Sequence, residues 1–234
     1  TQRWVLKPVG EVYTIRQKSS GRFADAHESS NDFSVVSRTA QHNNTQRWAM
    51  LPVDGAGSTY TIQQVSNGRY WDAHESGNDF SVVTREIQNN QTQQWITIPR
   101  GNSTVTIKQK SSGRFVDAHE AGNDFSIVTR TAQNNDTQKW SFGLVGRVYT
   151  LQQASSNRFV DAHESGNDHS VVTRTAQKNT SQYWVVLPAA DGTFTLQQLV
   201  NGRFMDAHEA INDFSAVTRT AQNNATQRWL IDAV

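Results

Sequence analysis

One pattern is written five times along this 234-residue chain: Gly-Arg-Phe-x-Asp-Ala-His-Glu, then Asn-Asp-Phe-Ser-x-Val-Thr-Arg, then Gln-x-Asn-x-Thr-Gln-x-Trp, with small variations. Its acidic position falls at Asp25, Asp72, Asp117, Asp161 and Asp206, giving spacings of 47, 45, 44 and 45 residues. A fixed period near 45 signals a repeat architecture, in which one supersecondary unit buries its apolar face only against its neighbours. Any polar chemistry that one unit presents is then presented up to five times.

Within a repeat the pattern reads as four short strands. In the first unit these are residues 12–17, 22–27, 33–38 and 46–51, period-2 stretches separated by Gly, Asn, Asp and Ser clusters. No stretch carries a 3.6-residue apolar stripe, so the chain is read as all-β. Gly21, Gly68, Gly113 and Gly202 suit a turn that requires positive φ, and Asn157 tolerates the same region. The tryptophans ending the Gln-x-Trp elements (Trp4, Trp48, Trp95, Trp140, Trp184 and Trp229) read as core, and Trp71 as extra packing. The expected architecture is one domain over residues 1–234, a ring of repeats at about 5–48, 49–95, 96–140, 141–184 and 185–229. The N- and C-terminal strands would close the ring. Five four-stranded units of this length predict a five-bladed β-propeller, with a β-trefoil-type arrangement as the alternative.

Composition narrows the function. A net charge of +1 gives no reason to expect nucleic acid or an acidic membrane as partner. No apolar run approaches the roughly 18 residues that span a bilayer, so no membrane insertion is expected. The absence of cysteine removes disulfides and thiolate metal sites. The chain begins at Thr1 with no signal peptide in this form, which is read as a mature or trimmed protein, cytoplasmic or secreted without disulfides.

The layout Tyr-Thr-Ile-x-Gln, Ser-Gly-Arg-Phe-x-Asp and Gln-x-Trp, in register along nearly the whole chain, resembles the repeat of the ricin-B-type (R-type) lectins. That resemblance implies sugar binding, by the Asp after the second strand, an aromatic of the third strand, and an Asn and Gln near Gln-x-Trp. Asp25 and its counterparts match the Asp, and Gln46 and its counterparts match the Gln. The sequence departs from the pattern in two ways. Thr or Ser precedes that Gln, at Thr45, Thr92, Thr137, Ser181 and Thr226, and Arg38, Arg85, Arg130, Arg174 and Arg219 stand late in the third strand.

The expected sugar-binding residues are Asp25, His27, Glu28 and Asn44; Asp72, His74, Glu75 and Asn90; Asp117, His119, Glu120 and Asn135; Asp161, His163, Glu164 and Asn179; and Asp206, His208, Glu209 and Asn224. Carboxylate and imidazole supply the acceptors and donors that vicinal hydroxyls require. Asp25 could instead pair with Arg38 across the hairpin, and Phe33 and its counterparts could serve packing or sugar stacking. Unit four, with Asn157, His169 and Lys178, and unit five, with Ile211, are expected to deviate most. The functional expectation is a multivalent lectin with up to five equivalent sites and glycans or glycoproteins as partners. The alternative is a protein-interaction scaffold or inhibitor using loops on one face. Five near-copies provide no single differentiated environment for catalysis, so no enzyme is expected. No cofactor or metal is expected either, since one imidazole in Asp-x-His-Glu is poor zinc spacing.

Overall fold

The computed structural model describes residues 3–54, 57–177, 179–210 and 214–232; Lys178 and Ile211 lie outside these. The chain divides into two compact units. One is Val12–Val145, with three repeats; the other combines Thr1–Glu11 with Gly146–Val234 and holds two.

In the three-repeat unit, β1 (Trp4–Gln17, from Val12 onward), β4 (Trp48–Pro52), β5 (Thr59–Gln64), β8 (Trp95–Gly101), β9 (Thr104–Gln109) and β12 (Trp140–Gln153, up to Val145) pair in a closed cycle, β1–β4–β5–β8–β9–β12–β1. The closing β12–β1 contact is marked by Lys18 N donating to Lys139 O at 2.8 Å. The two middle strands of each repeat form a hairpin: β2 (Phe23–Ala26) with β3 (Val35–Arg38), β6 (Tyr70–Ala73) with β7 (Val82–Arg85), and β10 (Phe115–Ala118) with β11 (Ile127–Arg130). Six barrel strands carrying three hairpins are a β-trefoil.

The expected propeller is therefore corrected. In a propeller the four strands of a repeat form their own sheet; here the first and fourth strands join those of neighbouring repeats in one barrel. A repeat near 45 residues with four strands satisfies either architecture. The pairing between repeats decides, and here a cycle closes after three repeats, not five.

The core follows from alternation and from the Gln-x-Trp elements. Trp48, Trp95 and Trp140 are fully buried among Ile15, Ile62, Ile107 and Ile127. Each indole N–H is satisfied across the repeat, Trp48 Nε1 donating to Ala24 O at 3.0 Å and Trp140 Nε1 to Val116 O at 3.1 Å. These bonds tie each hairpin to the fourth strand of its own repeat. Trp71, also fully buried, packs edge-on against Trp48 and Trp95, with ring centroids 5.2 and 5.8 Å away. The turn into each hairpin takes positive φ as expected: 72° at Gly21, 77° at Gly68, 70° at Gly113 and 57° at Asn157.

In the two-repeat unit, the second part of β12 pairs with β15 (Trp184–Pro188), β15 with β16 (Phe194–Gln198), and Phe194 bridges Trp229. The start of β1 lies beside β12, where Ala154 N donates to Arg3 O at 3.0 Å. The hairpins are β13 (Phe159–Ala162) with β14 (Val171–Arg174) and β17 (Phe204–Ala207) with β18 (Ala216–Arg219). Trp184, Leu196 and Met205 form this unit's core, with Leu6, Trp229 and Ile231 packed on it.

Candidate functional site

The repeats build a shared polar stack, from the interior outward, with differences between copies. At the bottom is the hairpin aspartate: Asp25, Asp72, Asp117, Asp161 and Asp206 are all buried. The Gln of Gln-x-Trp reaches it from 21 residues away, Gln46 Nε2 donating to Asp25 Oδ2 at 3.2 Å and Gln227 Nε2 to Asp206 Oδ2 at 3.0 Å. The same Gln46 amide donates to Thr39 O and accepts from Gln41 N, so it pins the loop before β4. Asp117 and Asp161 also accept from the next backbone amides, Ala118 N and Ala162 N, both at 2.8 Å.

Above the aspartate lies the arginine that ends the third strand. Arg38 Nη1 is 3.8 Å from Asp25 Oδ2, Arg85 Nη1 3.7 Å from Asp72, and Arg174 Nη1 3.9 Å from Asp161. These guanidinium groups are about one-third exposed. Each also touches the histidine of its own hairpin, as in Arg38 Nη2 to His27 Nε2 at 3.2 Å and Arg130 Nη2 to His119 Nε2 at 3.2 Å.

The outermost member comes from another repeat. His27 Nε2 lies 3.0 Å from Asp124 Oδ2, His74 Nε2 3.1 Å from Asp32 Oδ2, and His119 Nε2 2.9 Å from Asp79 Oδ2. In the two-repeat unit His208 Nε2 lies 3.4 Å from Asp168 Oδ2. These aspartates sit at positive φ (52° at Asp32, 49° at Asp124), a conformation Asp tolerates, and it carries the carboxylate out to its neighbour. Burial holds Arg203 below the ordinary guanidinium range; Arg219 adds to this and Asp168 opposes it.

The sequence-expected residues therefore separate. The Asp series is enclosed, the His series half-buried at the rim, and Glu28, Glu75, Glu120, Glu164 and Glu209 are exposed. Asn90, Asn135, Asn179 and Asn224 share one structural position, and its counterpart in the first repeat is Asn43, one residue before the expected Asn44. Each bridges its loop: Asn43 Nδ2 donates to Gln41 Oε1, and Thr45 Oγ1 donates to Asn43 Oδ1. Asn44 instead accepts from Arg47 Nη1 at 2.8 Å. Asn224 also lines a cleft of about 290 Å³ with Thr195, Phe204, Asn223 and Arg228. The residues that sequence reasoning passed over are the aspartates of Asn-Asp-Phe. Their recurrence was visible, but the repeat they face was not.

In the three-repeat unit each half-buried ring of the aromatic series lies under an arginine of another repeat. Arg69 stacks over Phe33 at 3.9 Å from the ring centroid, Arg114 over Phe80 at 3.8 Å and Arg22 over Phe125 at 3.9 Å. The same arginines hold their own hairpins, Arg22 Nη2 donating to Ser37 O at 2.7 Å. Among the described residues no cluster of three or more His, Asp or Glu could hold a metal.

The profile of the ricin-type β-trefoil lectin domain-like family matches residues 1–81, 44–129 and 136–219. The chain belongs to this family. Among solved structures it is similar to the designed three-fold symmetric protein ThreeFoil, at 19% identity and a TM-score of 0.51 over 56% of this chain and 96% of that one. The BEL β-trefoil matches at 18% identity and a TM-score of 0.51, over 58% of this chain and 93% of that one. An exo-β-1,3-galactanase from Clostridium thermocellum matches at 23% identity and a TM-score of 0.53, over 58% of this chain and 30% of that one. At these identities the likeness is one of fold. No curated protein matches the chain.

Proposed function

We propose that the protein is a multivalent lectin whose ligands are glycans or glycoproteins, with up to five sites, one per repeat. The observation that carries this reading is the stack of Asp, Arg and His beside a carboxylate from the adjoining repeat, in a chain of the ricin-type lectin-like family. Arg38, His27 and Asp124 offer donors and an acceptor within one small patch, which is what neighbouring sugar hydroxyls require. Asp25 sits beneath, its Oδ2 3.8 Å from Arg38 Nη1, so in this reading the sugar meets arginine and histidine first and the aspartate through them. Glu28 and its counterparts, exposed and next in sequence to the histidines, complete the proposed contacts.

Such a shallow polar patch binds a monosaccharide with a Kd on the order of millimolar. Linked sites raise avidity for a multivalent surface by about 10² to 10⁴. The repetition suits adhesion and gives no carboxylate or histidine the separate environment that catalysis needs, so the reading is of a binding protein. A glycan array probed with labelled protein, followed by competition with free sugar, tests it. Selective and competable binding supports the lectin. Folded protein that binds no glycan, or binds a target that free sugar at tens of millimolar leaves in place, would move the function to a protein interface.

A further inference from the structure

We infer that the two-repeat unit carries a docking seat for one further repeat of the same kind. The three-repeat unit shows what a repeat of this type touches. Each hairpin makes three contacts with its neighbour, and all three run in one direction round a closed cycle. An Arg stacks on the neighbour's Phe (Arg22 on Phe125, Arg69 on Phe33, Arg114 on Phe80). A His meets the neighbour's Asp (His27 with Asp124, His74 with Asp32, His119 with Asp79). A backbone bridge joins third strands (Ser34 with Val83, Ser81 with Val128, Val36 with Ser126). Three hairpins make three such seams.

The two-repeat unit makes one: His208 meets Asp168, and Ser170 bridges Val217. The groups that would form the other seams stand uncovered. Phe214 is 69% exposed, where Phe33, Phe80 and Phe125 are half-buried under arginines. Arg158 is the one exposed member of its series of five. Among the described residues His163 meets Arg174 and Asn167 but no carboxylate. Strand β14 is only half-buried throughout, whereas Val35 and Val36 of β3 are inaccessible. Phe214 and Ser215 thus form one edge, and Arg158, His163 and Val172 the other. Each edge is the complement of what a further hairpin carries.

The geometry of the three-repeat unit also selects the occupant. A cycle of this type closes at three hairpins, so two leave one place. Two copies of the two-repeat unit would bring four, and the seams of the three-repeat unit are already filled.

The test uses the full 234-residue chain and a labelled peptide of residues 113–130, which carries the third repeat's Arg114, Asp124, Phe125, Ser126 and Val128. Fluorescence anisotropy should show saturable binding at one peptide per chain. Phe214→Glu, a change at an exposed side chain, should weaken it by about tenfold or more, as expected for an aromatic anchor. An isolated hairpin is marginal in water. A second arm therefore tethers the same peptide after residue 234 by a flexible linker, which places it at roughly millimolar effective concentration. The amides of Val172 and Ser215 should then gain hydrogen-exchange protection, and Phe214→Glu should remove it. The absence of both binding and protection would overturn the inference. So would self-association of the untethered chain that Phe214→Glu abolishes, because a second copy would then hold the seat.

Discussion

Gln46 Nε2 donates to Asp25 Oδ2 at 3.2 Å inside the protein, joining the end of one repeat to its own hairpin. The aspartate is inaccessible to solvent and the glutamine nearly so. The pair thus has a structural duty whatever it does for a ligand. Truncating Asp25 to Ala leaves the Gln46 amide short of one acceptor and Arg38 without the charge beneath it. Loss of one partner of a buried hydrogen bond costs about 1–3 kcal/mol. Asp25→Ala is expected to lower stability by that amount in urea unfolding. Asp25→Asn, which keeps an acceptor and the side chain's shape, should lose less. Equal losses would mean that the charge, not the hydrogen bond, holds the site.

The rim residues should behave in the opposite sense. His119, 17% exposed, contacts Asp79, whose side chain is 64% exposed, and such a rim contact contributes about 0–1 kcal/mol. The double change of His119 and Arg130 to Ala should therefore change unfolding by about 1 kcal/mol or less through loss of that contact. In calorimetric titration with a ligand identified on the array, it should remove one site from the stoichiometry. An unchanged site count would exclude this rim as the contact surface of the third repeat.

Much of the repeat was legible because its signals are local. The turn at Gly113 and Asn157 follows from φ preference, and the burial of Trp48 and Trp140 from the apolar alternation that ends in Gln-x-Trp. The grouping of repeats was not legible, because it depends on which repeat a hairpin edge meets. Asp32 reads identically whether it faces His27 or His74; only the fold brings it to His74. The same limit hid the fate of Phe33. Its sequence environment matches that of Phe214, yet one lies under Arg69 and the other faces solvent. The one-residue slip at Asn44 has a different origin. Asn43 and Asn44 are adjacent and chemically alike, and only the bonds to Gln41 and Thr45 tell them apart.

Trp71 and Trp95 offer a paired test of the core. Both are fully buried and packed edge-on. Trp95 Nε1 donates to Trp71 O at 3.2 Å, while Trp71 Nε1 is buried with no hydrogen-bond partner. Trp95→Phe forfeits a hydrogen bond in addition to volume, whereas Trp71→Phe removes a buried unpaired donor, itself a cost of about 1–3 kcal/mol. Thermal unfolding should show Trp95→Phe to be the more damaging of the two, and both Trp→Ala changes should cost about 3–5 kcal/mol. The reverse order for the Phe variants would mean that the Trp71 indole finds a partner in solution.

In the two-repeat unit, Asp191 supplies a pH-dependent contact. Thr193 donates to its carboxylate from both hydroxyl and backbone N–H, and Arg228 Nη1 donates to Oδ2 at 2.6 Å. The Thr193 hydroxyl, then Arg228, hold the Asp191 pKa well below its ordinary value of 3.8, at about 2. The sign follows from that depression: the folded state favours the ionised carboxylate, so the contribution is fully present above about pH 4 and is lost as pH falls through about 2. The contact closes the turn in which Ala189 N donates to Thr193 O at 2.8 Å, so the Ala189 amide is the local reporter. Asp191→Asn should speed hydrogen exchange at Ala189 relative to the parent at neutral pH, and the ratio should fall toward one as pH drops through about 2, where the parent carboxylate takes up its proton. A ratio that stays constant from pH 7 to pH 2 would show that the carboxylate's charge plays no part in holding the turn.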